Sequence, residues 1–107
     1  MKKTELPKTI RIIGKEYKIT YTKHYLKYKE GRESRLALAI HYGNEGRIKA
    51  KVDKLCKDEV MNSLLHESFH GISHRLRLGL KENQVDKLSI GVQALLKDNP
   101  KIYELLK

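Results

Sequence analysis

His66-Glu67-Ser68-Phe69-His70 brings two imidazoles and a carboxylate together within five residues. Residues four apart on an α-helix share one face, with Cβ atoms about 5–6 Å apart. Two histidines at that spacing can both reach one zinc ion at about 2.0–2.1 Å. Glu67 follows the first of them and projects about a quarter turn around the helix, beside the side of the metal left open. A carboxylate there can take a proton from a metal-bound water. The segment therefore holds two metal ligands and a general base, the core of a metallohydrolase site.

The surroundings fit that use. From Ser63 to Ser73 the two histidines and Glu67 are the only ionisable side chains. A solvated helix face would scatter lysines and glutamates through such a stretch, whereas an uncharged frame suits a helix packed on a core. The blander alternative is two histidines spaced by accident.

A catalytic zinc usually takes three protein ligands and keeps one position for water. The third ligand must come from elsewhere, and Glu82 and Asp86 compete for it, one turn apart on a second expected helix. If the first helix runs to Gly79, His70 lies about 12–14 Å back from the turn. A partner helix starting near Leu80 climbs only about 3 Å by Glu82 but about 9 Å by Asp86. Asp86 is preferred on that ground, and an early end to the first helix would reverse the choice. His66, His70 and His74 form a line, yet it spans about 12 Å of helix axis, too far for one tetrahedral ion. His74 is thus expected at the surface or behind a ligand. His24 lies far from the motif, and His41-Tyr42, at a strand end, could serve an oxyanion only if that strand faced the site.

The elements that must position these groups run strands first, helices after. Ile10 to Ile13, Gly14-Lys15 and Glu16 to Thr22 read as a hairpin with Ile10, Ile12, Tyr17, Ile19 and Tyr21 alternating inward. Residues 23–34 are polar and read as a loop. Arg35 to Tyr42 and Arg47 to Val52 read as third and fourth strands around the turn residues Gly43-Asn44-Glu45-Gly46. The metal helix is expected from about Asp58, which with Glu59 suits its N-terminal dipole, to about Leu76 or Leu78, with Gly79 as the residue that ends it. A second helix covers about 81–97, its apolar side made of Val85, Leu88, Val92, Leu95 and Leu96. Asn99-Pro100 then breaks the chain before a short last helix over 101–106. The fold class is α+β: a small, mostly antiparallel sheet of about four strands packed on a helical hairpin. One domain spans 1–107, with a flexible 1–9, a sheet region over 10–52 and a helical region over 57–107.

Composition narrows the partners. No run approaches the ~20 apolar residues that span a bilayer, and the Lys-rich start has no apolar stretch behind it, so neither a membrane nor a signal peptide is expected. Cys56 is the single cysteine, which rules out an internal disulfide, suits a reducing cytoplasm and suggests a small buried side chain just before the helix. The net charge of +10 falls wholly on residues 1–57, with 16 Lys and Arg against 6 Asp and Glu, while residues 58–107 balance at 7 against 7. Such a face could meet nucleic acid or an acidic protein partner. Its lysines, however, alternate with tyrosines and isoleucines as solvent-side strand positions do, so a solvated face is favoured over nucleic-acid binding.

The order Ile-x-Gly-Lys-x-Tyr-x-Ile over 12–19, a Tyr-Gly turn and strand over 42–52, Leu64-Leu65-His66-Glu67-Ser68-Phe69-His70-Gly71-Ile72, and Glu82-Asn83-Gln84-Val85-Asp86-Lys87-Leu88 resembles the small H-E-x-x-H proteins of phages and prophages. These are similar in turn to the ImmA/IrrE class of zinc peptidases, within the zincins. The resemblance covers about residues 10–99 and is specific only in its H-E-x-x-H segment. That class has a second motif, E-x-x-A-N-x-F-A, which falls here on Asp86-Lys87-Leu88-Ser89-Ile90-Gly91-Val92-Gln93, with Asp for Glu, Ser for Ala and Ile for Asn. It implies a minimal zincin-like architecture, a Zn2+ cofactor held by His66, His70 and Asp86, Glu67 as general base, and hydrolysis of a protein or peptide substrate in the cytoplasm of a bacterial host. Arg47 to Val52, just before the metal helix, is a candidate edge on which an extended substrate could lie. Two other readings stay open: a small domain whose metal site is only structural, and a basic nucleic-acid-binding protein with an incidental motif.

Overall fold

The computed structural model describes residues 6–30, 33–37, 39–42 and 46–105. Among them the strands are β1 (Thr9–Ile12), β2 (Lys15–Thr22), β3 (Leu26–Glu30), β4 (Glu33–Ala37), β5 (Ala39–Tyr42) and β6 (Arg47–Lys51), followed by α1 (Lys57–Leu76), α2 (Glu82–Asp98) and α3 (Pro100–Leu105). The class is α+β. One sheet has the order β1-β2-β6-β5, and β3 pairs with β4 apart from it.

The opening hairpin follows from alternation. Tyr17 and Ile19 turn inward together with Ile12, and Ile10 and Tyr21 pack at the margin of the same cluster. Register carries this across to β6, where Ile19 lies opposite Ile48 and Tyr21 opposite Ala50. Residues just before β1 are held too: Leu6 joins the core, Tyr21 Oη donates to the Pro7 carbonyl at 2.6 Å, and Ile19 N donates to Lys8 O at 2.9 Å. Residues 1–5 of the segment expected to be flexible lie outside the described residues.

The sheet is mixed where a mostly antiparallel one was expected, because its central pair, β2 and β6, is parallel. A parallel pair needs a long crossover to bring the chain back to the same end. Residues 23–46 provide it, and they hold the β3–β4 hairpin and β5 where the sequence suggested a loop and one continuous strand. Leu26-Lys27-Tyr28-Lys29-Glu30 has strand alternation after all, and the expected third strand divides because β4 pairs with β3 while β5 pairs with β6. That division also corrects the substrate-edge expectation. With β2 on one side and β5 on the other, β6 is internal and has no free edge.

Helix α1 lies across β5 and β6, burying Val60 and Leu64 against Tyr17, Ile19, Ile48 and Ala50. Each such aliphatic side chain contributes about 1.5–3 kcal/mol on burial. The helix begins one residue before Asp58. Cys56 is its N-cap, extended and exposed rather than buried, and its N–H donates to the Glu59 carboxylate at 3.3 Å. At the other end Arg77 takes the left-handed conformation, with φ of 55°, two residues before Gly79, whose φ of 65° is also positive. Leu78 N donates back to Ser73 O at 2.9 Å, and Leu80 N to Ser73 Oγ at 2.9 Å, so the chain reverses directly after Leu76.

Helix α2 then runs antiparallel along α1, with Val85 and Ser89 fully buried. Asn62 Nδ2 donates to Gln93 Oε1 at 2.9 Å, Gln93 Nε2 to Asp58 O at 2.9 Å, and Lys97 Nζ pairs with Asp58 at 2.7 Å. The hairpin is thus fastened at the end remote from its turn.

Ile13 and Gly14 link β1 to β2, both with positive φ, 46° and 81°. A two-residue turn of that kind suits Asn-Gly, and a β-branched residue in its first position is strained. Ile13 is also exposed. Ile13→Asn should raise stability by about 1 kcal/mol, read as a higher urea midpoint with unchanged slope; a lower midpoint would show that Ile13 is not strained.

Candidate metal centre

His66 and His70 lie one turn apart on α1, on the side turned toward α2 rather than toward the sheet. Their Nε2 atoms are 3.1 Å apart and the rings meet edge to face, with centroids 4.8 Å apart. Glu82, in the first turn of α2, reaches both: Oε1 is 2.7 Å from His66 Nε2 and Oε2 is 2.9 Å from His70 Nε2. Asp86 sits one turn further on and meets the other nitrogen of His66, Oδ1 lying 2.9 Å from Nδ1. Antiparallel helices demand this order, since advancing along α2 means retreating along α1.

Glu67 is nearly buried, and its Oε1 is 4.0 Å from His66 Nε2. Ligand-capable atoms of His66, Glu67 and His70 fall within 4.8 Å of one another, as do those of His66, Glu82 and Asp86. The tightest set is the two Nε2 atoms with the Glu82 carboxylate. Donors bonded at about 2.0–2.1 Å to a tetrahedral zinc stand about 3.3 Å apart, so this triangle needs only a slight opening to form one face of such a site. Two imidazoles and a carboxylate are also a donor set that zinc takes readily. The residues present fit the ion.

Electrostatics agree. Burial pushes the His70 imidazole below its ordinary value of 6.5, and the neighbouring His66 adds to the effect, while the Glu82 and Asp86 carboxylates oppose it. A neutral ring is the form that ligates metal. The rings are largely covered, at 15% and 27% exposure, whereas Glu82 and Asp86 are 67% and 57% exposed. One side of the cluster is therefore core and the other is open to solvent.

The H-E-x-x-H residues thus come together as their spacing suggested. Asp86 reaches the cluster through Nδ1 of His66, and Glu82, the alternative, faces the two Nε2 atoms. His74 is exposed and lies apart from the cluster, along an open groove of about 720 Å³ lined with His70, Ser73, Arg75, Arg77 and Gly79. The sequence reading passed over that groove, since arginines at a helix end look like ordinary dipole partners. His24 is exposed in the bend after β2. His41 and Tyr42 fall in β5, and their side chains lie outside the described residues.

Comparison with known proteins finds no matching family model, no matching curated protein and no matching solved structure. Among the described residues, no helix is long and apolar enough to cross a membrane.

A lowered His70 value means that the fold prefers the neutral ring. That preference stabilises the protein fully above the ordinary 6.5 and is lost as pH falls through the lowered folded value. With chelator present, the thermal midpoint should drop more steeply from about pH 7 to about pH 5 in the wild type than in His70→Gln. Parallel curves would contradict the assignment.

Proposed function

We propose that this chain is a small zinc-dependent peptidase of zincin type, in keeping with its resemblance to H-E-x-x-H proteins of phages and prophages. One observation carries the reading: two neutral-capable imidazoles and one carboxylate converge on a single point, with a second carboxylate, Glu67, beside them and solvent on the open side. Structural zinc sites are closed by four protein groups, whereas catalytic ones keep a position free. His66 Nε2, His70 Nε2 and Glu82 are the ligands in this proposal. Asp86 becomes a positioning residue rather than the third ligand: it accepts a hydrogen bond from Nδ1 of His66 and so holds the ring with Nε2 turned outward.

Zinc held there would supply Lewis acidity and lower the pKa of a bound water toward about 7. Glu67 then acts as general base, receiving the proton of the attacking water and returning it to the departing amine. Its burial keeps the carboxylate fixed beside the rings. An extended peptide could lie along β5, which is an outer strand of the sheet and runs next to α1.

The ligand assignment separates two neighbouring acids. Glu82→Gln should abolish stoichiometric zinc binding, while Asp86→Asn should weaken it by about 10–100-fold without abolishing it. Competition with a chromophoric chelator reads both, and equal losses, or the reverse order, would restore Asp86 as the ligand. Glu67→Gln should keep zinc and fold but lower hydrolysis of a fluorogenic peptide library at least about 100-fold. Hydrolysis unchanged in that variant would leave the metal a purely structural role.

A further inference from the structure

The groove beside the metal centre is cationic beyond what the fold requires. Arg75 and Arg77 line it with His74 and Gly79, and His70 belongs both to it and to the metal cluster. A basic residue at a helix C-terminus ordinarily serves the carbonyls of the last turn. Here main-chain amides take two of those carbonyls, Arg77 N donating to His74 O and Leu78 N to Ser73 O, and among the described residues neither arginine side chain is bonded to any of them. Arg75 makes one long hydrogen bond, Nη2 to Ile13 O at 3.4 Å, which leaves most of its guanidinium donors unused. Among the described residues, neither arginine forms a salt bridge with a carboxylate. Two guanidiniums, charged at any physiological pH, thus stand beside the site.

The polarity across the site is also directional. Glu82 and Asp86 place negative charge on the α2 side of the histidines, while the arginines place positive charge where α1 ends. A substrate bearing an anionic group is repelled at one end and attracted at the other, which gives it a single orientation.

We infer that this groove is the subsite that receives a carboxylate of the peptide substrate, from an acidic side chain or a free C-terminus near the scissile bond, and that Arg75 and Arg77 select it. The inference rests on the peptidase reading for the nature of the ligand, but binding tests it without turnover. Guanidinium and carboxylate form paired, charge-assisted hydrogen bonds, which makes arginine the residue suited to this recognition.

The test uses the full chain, loaded with zinc and carrying Glu67→Gln so that nothing is cut. Fluorescence anisotropy compares labelled peptides of one length: a neutral C-terminal amide, the same sequence with a free C-terminus, and the amide with one internal Glu. At least one acid-bearing peptide should bind about tenfold more tightly than the neutral one at low ionic strength, with the gap closing as salt rises. Which of the two gains identifies the source of the carboxylate. Arg75→Gln with Arg77→Asn should erase the gap while zinc content stays unchanged; Asn tolerates the left-handed backbone at that position. Arg75→Gln alone should narrow it if the double variant folds poorly. Equal binding of acidic and neutral peptides, no binding of any, or a preference that survives the arginine substitutions would overturn the inference. Acid preference without any hydrolysis by the wild type would instead strike the peptidase reading and leave the subsite standing.

Discussion

Two carboxylates on successive turns of α2 each take a different part of the His66–His70 pair, and the rest of the chain keeps α2 at the height where they can. Helix α1 alone offers the two imidazoles and the Glu67 carboxylate. The second helix adds two further carboxylates because the chain reverses directly after Leu76 and the loop over 77–81 brings Glu82 back level with both rings. Ser73 fastens that reversal by accepting from Leu78 N through its carbonyl and from Leu80 N through its hydroxyl. Asn62, Gln93, Asp58 and Lys97 fasten the far end of the hairpin. Between these two clasps, the fully buried Val85 and Ser89 fix the contact of α2 with the rest of the fold.

Division of labour around α1 explains how a small domain carries such a site. One face of the helix is given to stability, with Val60 and Leu64 sealed against the sheet. The other face carries the polar groups, and their burial is graded. The rings are mostly covered, which favours the neutral form of His70, and the acids lie at the rim, where solvent limits the cost of their charge. Metal binding to such a cluster would add its own free energy to a core of few residues, so folding and metal occupancy should be linked in this chain.

Legibility in the sequence followed the range of the interactions. The β1–β2 hairpin and both long helices were readable because alternation, helical spacing and breakers such as Asn99-Pro100 act locally. Pairing of β2 with β6 was not, since the partners are separated by the whole of 23–46 and nothing local encodes a parallel neighbour. The split of the expected Arg35–Tyr42 strand into β4 and β5 has the same origin, each half being claimed by a different partner. Within the site, H-E-x-x-H was legible as a unit because one helix fixes its geometry. The roles of Glu82 and Asp86 turned on where α1 ends. Helix α1 ends at Leu76, one of the two stops the sequence suggested. The path of the loop over 77–81, which no local pattern encodes, sets Glu82 against the two Nε2 atoms and Asp86 against Nδ1 of His66. Cys56 was misplaced for a related reason, because an N-cap position lies at the exposed mouth of a helix whatever the polarity of the residue there.

The central claim is that α1 and α2 jointly hold one divalent ion through nitrogen and oxygen alone. X-ray absorption at the zinc edge on the metal-loaded protein tests it without reference to substrate. Two imidazole nitrogens with two or three oxygens at about 2.0–2.1 Å are expected, with the outer-shell scattering typical of histidine rings. A sulfur shell at about 2.3 Å, which would bring in Cys56, or a spectrum lacking imidazole scattering would contradict it.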